Sequence, residues 1–150
     1  MRPDPLPTLL RLRRMEMDAA RADLLAAESR AGEAREATLA AQLAIRREMA
    51  AACSAEADDV SVEAFAAWLP VGRAAQTRAE ASWRRAEEDS IRARTLFNLA
   101  RGAAEAVEKL IDEQRAAEVK AALVREQKAL DEVGGRRPDR GKIRPSVPFL

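Results

Sequence analysis

Paired carboxylates occur at Asp58-Asp59 and at Glu87-Glu88, the type and spacing that acid–base catalysis or a divalent cation would use. Both pairs sit in stretches of mixed charge without a convergent third group, which reads as solvated surface. The lone Cys53 forms neither an internal disulfide nor a CxxC pair and reads as a small apolar filler. The chain has no histidine, which excludes a Ser-His-Asp or Cys-His centre and any imidazole ligand. No catalytic, cofactor-binding or metal-binding residue is therefore expected, and no enzymatic activity. Arg136, Arg137, Arg140, Lys142 and Arg144 form a basic run against Asp139 alone. Such a run suits nucleic acid or an acidic protein surface. It lacks interleaved aromatics and any recognised nucleic-acid motif, so no nucleic-acid partner is expected.

The elements that carry these residues follow from composition. Alanine, arginine, glutamate, leucine and lysine make up 91 of the 150 residues, a bias that signals long helices or a coiled coil. Half of the 47% apolar fraction is alanine, too little bulk for a compact α/β or sandwich core. The 26 basic and 25 acidic residues nearly cancel, whereas disorder usually goes with a large net charge. The longest uncharged run around Cys53, Met49 to Ala55, falls far short of the roughly 18 apolar residues of a membrane span. The start of the chain leads into a charged helix rather than a signal-peptide core. These features predict a cytoplasmic protein without direct membrane insertion.

Proline and glycine set the expected boundaries. Thr8, after Pro3, Pro5 and Pro7, is a plausible N-cap. It opens a first helix over about 8–57, after a flexible N-terminus of residues 1–7. Asp58-Asp59 and Pro70-Val71-Gly72 are the two candidate breaks; together they predict a tip over about 58–72, with either one open as the exact turn. Within it, Ser61 caps a short helical segment running to Leu69. A second helix over about 73–133 ends at Gly134-Gly135, leaving 134–150 as a flexible basic tail.

Heptad spacing supplies the packing. Leu10, Met17, Leu24, Ala31, Thr38, Ile45 and Ala52 form one line of the first helix. Arg13, Ala20, Ala27, Ala34, Ala41, Glu48 and Ala55 form its companion. In the second helix Ala79, Ala86, Ala93, Ala100, Val107, Gln114 and Ala121 form a line, with Ala75, Ser82, Asp89, Leu96, Ala103, Leu110, Ala117 and Val124 as the expected companion. These seams predict an all-α, antiparallel two-helix coiled-coil hairpin. Its helices would measure about 75 and 90 Å at 1.5 Å per residue. With the tip at 58–72, residues whose numbers sum to about 130 face each other across a short connection. The last turns of the second helix then have no partner. Val119, Leu123 and Leu130 form a second stripe off the seam there, read either as a docking surface or as covered by Leu6 and Leu9. At the tip, Phe65, Trp68 and Leu69 fall at i, i+3 and i+4. They suit a plug for the turn or an exposed anchor. Trp83 and Phe97 read as packing or half-exposed residues.

Three stretches resemble FliJ, the flagellar type III export protein family with virulence-type secretion counterparts. They are the opening Thr8-Leu9-Leu10-Arg11-Leu12 with Glu16-Met17-Asp18-Ala19-Ala20, the segment Phe65-Ala66-Ala67-Trp68-Leu69, and the ending Glu126-Gln127-Lys128-Ala129-Leu130-Asp131-Glu132-Val133. Pro70, the heavy alanine content, the few seam aromatics and the proline-containing tail depart from the family's pattern. The resemblance implies a stalk-like hairpin of a bacterial flagellar export apparatus, peripherally associated with a membrane-embedded gate. It implies three partners: the export ATPase hexamer, the cytoplasmic domain of the export gate, and export chaperones. Carried onto this chain, the ATPase-facing end is Leu9, Leu10, Leu12, Leu123, Leu130 and Val133. The gate-facing end is Ala41, Ile45, Phe65, Trp68 and Leu69. The residues by themselves also fit a structural coiled-coil scaffold without a secretion role, one that oligomerises through the second stripe.

Overall fold

A computed structural model describes residues 4–135, of which 94% are helical and none is in a strand. Two helices make up the fold: α1, Leu6–Ala52, and α2, Asp59–Gly135. The chain divides into two compact units, Met1–Glu108 and Lys109–Leu150, each described here by itself.

The first unit is the antiparallel hairpin. α1 begins two residues before the expected cap. The Asp4 carboxylate accepts the Leu6 N–H at 3.0 Å, and Pro7 occupies the first turn, where its missing donor costs nothing. α1 stops at Ala52, where the Cys53 N–H closes onto the Met49 carbonyl at 3.0 Å. Residues 53–58 make the only non-helical connection between α1 and α2, so the expected tip over 58–72 is corrected. Asp58, rather than Ser61, caps α2: its carboxylate accepts the Ser61 N–H at 2.9 Å and the Ser61 hydroxyl at 2.6 Å. Asp59 adds a negative charge to the first turn, where the helix dipole favours it.

Pro70 lies inside α2 and does not end it. It deprives the Ala66 carbonyl of its usual donor, at an exposed position open to water. Phe65, Trp68 and Leu69 before it are half-buried and Gly72 after it is buried, so packing on both sides offsets the lost bond.

The α1 seam falls where the heptads put it. Every residue of the Leu10–Ala52 line, and its companion from Arg13 to Ala41, is buried or half-buried. Only the last companion positions, Glu48 and Ala55, are exposed. The α2 line is likewise covered from Ala79 to Val107, but its last expected positions, Gln114 and Ala121, are exposed. Its companion is corrected: Ala75 and Ala103 are half-buried, but Ser82, Asp89, Leu96, Leu110, Ala117 and Val124 are exposed, and the continuously covered set is Leu69, Gln76, Trp83, Ser90, Phe97 and Ala104. That set lies on the other flank of the alanine line, where the two large rings bury more area than Leu96 would.

The core is small-sided. Among the described residues its buried apolar members are Ala27, Ala31, Ala52, Ala104 and Val107, and no large side chain is fully buried. Thr38, 3% exposed, satisfies its buried hydroxyl by donating to the Ala34 carbonyl at 3.0 Å. Register shows in the pairs across the seam. Arg14 meets Glu108 at 2.6 Å, Arg94 meets Glu28 at 2.7 Å, and the Arg21 guanidinium lies 5.7 Å from the Phe97 ring centroid. Both ion pairs have numbers that sum to 122, about eight below the expected register, a shift toward the earlier connection.

In the second unit the described residues, 109–135, continue α2. Ile111 is half-buried and every other described side chain there is exposed. The helix runs through Gly134 and Gly135 rather than ending before them. The basic run from Arg136 to Arg144 lies outside the described residues.

Candidate partner-binding surfaces

At the α1–α2 connection, Phe65 and Trp68 stand one turn apart with ring centroids at 6.4 Å and planes tilted by 32°. The Trp68 ring lies along its own helix over Gly72. A Cβ at Gly72 would stand 2.6 Å from Trp68 Cη2 and 2.8 Å from Cζ3, closer than carbon atoms approach. Gly72 is thus the space into which the indole folds, a role the sequence shows only as a candidate break. Phe65 and Trp68 line a groove of about 390 Å³ with Ala64 and Ser61 of α2 and Glu48, Ala51 and Ala52 of α1. Of the five expected gate-end residues, these two share the groove. Ala41 and Ile45 lie on the α1 seam and Leu69 on the α2 seam, all half-buried. The alanines facing the rings escaped notice because alanine is everywhere in this chain; only Ala52 carried a signal, as a seam residue.

The cap beside this groove has its own electrostatics. Hydrogen bonds from the Ser61 side chain, and then from its backbone, hold the Asp58 carboxyl below its ordinary value of 3.8. The charged form is the one that accepts both.

The other expected end divides between the units. In the first, Leu9 and Leu12 line a shallow recess of about 570 Å³ with Asp4, Pro5 and Thr8. Leu12 is 50% exposed, while Leu10 turns into the seam. In the second, Leu123, Leu130 and Val133 are 60%, 66% and 75% exposed, with Val119 at 61%. These apolar side chains face solvent among the described residues.

Cys53 is exposed in the connection. Among the described residues no three Cys, Asp or Glu side chains gather as a metal site would need, and no helix is long and apolar enough to cross a membrane. Comparison with protein-family models, with curated proteins and with solved structures gives no match to this chain.

Proposed function

We propose that this chain is a stalk-like component of a flagellar type III export apparatus. In this reading it promotes the activity of the export ATPase ring and couples it to the cytoplasmic domain of the membrane-embedded gate. The observation that carries the reading is the stripe Val119, Leu123, Leu130 and Val133, 60–75% exposed on a helix. A water-facing apolar stripe is costly unless a partner covers it. Supporting it are the hairpin fold and the FliJ-like stretches at the start of α1, around Phe65–Leu69 and near the end of α2. The Leu9–Leu12 recess and the Leu123–Val133 stripe serve as the ATPase-facing contacts. The Phe65–Trp68 groove serves the gate, and export chaperones are further clients.

The test is stimulation of a purified export ATPase by the chain. We expect activation that Leu123→Asp/Leu130→Asp reduces at least tenfold, since two buried charges cost more than 1.4 kcal/mol of binding. A wild-type chain that neither binds nor activates the enzyme sinks the reading.

A further inference from the structure

The last stretch of α2 holds two interleaved patterns. Continuing the hairpin seam by sevens from Ala104 gives Ile111, Glu118, Arg125 and Glu132; continuing it from Val107 gives Gln114, Ala121 and Lys128. After Ile111 that seam is polar but for one alanine. A second line of apolar residues runs through Ala116, Val119, Leu123, Leu130 and Val133, with Glu126 in the one remaining position of the set; Val124, 45% exposed, lies beside it. The spacing is the three-four alternation of a coiled-coil face, and all six are exposed.

We propose that this stripe is the contact face for a second copy of this chain, with the two α2 ends packed antiparallel. A two-fold axis between Val124 and Arg125 sets Val119 against Leu130 of the second copy and Ala116 against Val133 of the second copy. Each smaller side chain then meets a larger one, twice over, as an isologous contact requires. Glu126 falls opposite Leu123 of the second copy, one turn from that copy's Lys120. Neither Lys120 nor Glu126 has an opposite charge three or four residues away in its own helix. By contrast Lys109 pairs with Glu113 and Arg115 with Asp112 within the helix. Between residues 112 and 135 only one further charge, Arg125, also lacks an opposite charge at that spacing; its Nε donates back to the Ala121 carbonyl at 3.2 Å, and the antiparallel arrangement brings Lys120 and Glu126 together. A parallel pair would instead set Glu126 against its own copy and Arg115 against Lys120, like charge on like charge.

The stripe spans 18 residues, about 27 Å of helix, with five apolar side chains per copy. That is at the small end of specific interfaces, so pairing is a concentration-dependent equilibrium. It covers Leu123 and Leu130, so self-association competes with any other protein docked there.

Sedimentation equilibrium of the full chain tests this. We expect a monomer–dimer equilibrium within about 1 mM, the weak end of specific affinity. Lys120→Glu weakens it about tenfold, and Lys120→Glu/Glu126→Lys restores it to within about threefold, as a close charge pair should. In a Cys53→Ser background, an oxidised mixture of Val119→Cys and Leu130→Cys chains gives the crossed dimer, and neither chain alone gives much product. A chain monomeric throughout, self-crosslinking by Val119→Cys alone, or no rescue by the charge swap each overturns the proposal. So does dimerisation that appears only when residues 136–150 are removed, since the tail would then be the occupant.

Discussion

Gly72 illustrates how far single residues decide this structure. A glycine inside a helix ordinarily costs up to about 1 kcal/mol relative to alanine. At this position the Trp68 indole occupies the space of the missing Cβ. Gly72→Ala therefore displaces the ring instead of stabilising the helix. In a Trp83→Phe background, the Trp68 emission should shift to longer wavelength while helix content stays unchanged; an unshifted spectrum would show that the ring has room to spare. Asp58 gives a pH dependence. Its carboxyl is held below 3.8 in the folded chain by the Ser61 hydrogen bonds, so its contribution is fully present above that value. It is lost as pH falls through the lowered pKa. Protection from amide exchange at residues 61–62 should fall in the parent as pH drops through that lowered pKa, and Asp58→Ala should show the lost protection already at neutral pH. The sequence pointed to Phe65 and Trp68 through their spacing, but a glycine read as a break cannot show that a ring lies on it.

At the scale of elements, helix and hairpin were legible because alanine-rich heptads leave few other ways to cover an apolar line. The α1 seam was read nearly residue for residue. The α2 companion was not, because alanines on both flanks of the Ala79–Val107 line make either flank look suitable. Two rings, Trp83 and Phe97, decide between them. Trp83→Ala should cost about 2 kcal/mol, below the value for a fully buried ring, whereas Leu96→Ala should stay within about 0.5 kcal/mol. Chemical denaturation of both variants checks the assignment, and equal losses would refute it. Of the two candidate breaks, the chain turns just before Asp58-Asp59 and runs straight through Pro70. Proline is a strong breaker by propensity, but a cap as good as Asp58 and packed side chains on both sides of Pro70 outweigh it.

For the whole molecule, the division at Glu108 predicts unequal stability. Residues 10–107 hold the seam, whereas residues 112–135 are exposed throughout. Helices without tertiary packing are marginal in water, so the last stretch of α2 should open first. Brief trypsin treatment of dilute protein should cleave at Lys120, Arg125 and Lys128 before any site between Arg13 and Arg101. Raising the concentration should slow those cuts if the two copies pair. Cleavage inside the hairpin first would reverse this order. The fold was thus readable from pattern alone. The surfaces were readable only as places where large residues gather, since what covers an exposed stripe is a property of two molecules.

The small-sided seam has a thermal consequence. Unfolding raises the heat capacity chiefly by wetting apolar surface, and a core of alanines with one valine has little to wet. The heat-capacity increment per residue should fall below the usual 12–15 cal/mol/K. The stability of this hairpin would then vary gently with temperature, with a broad melting transition and a cold limit far below freezing.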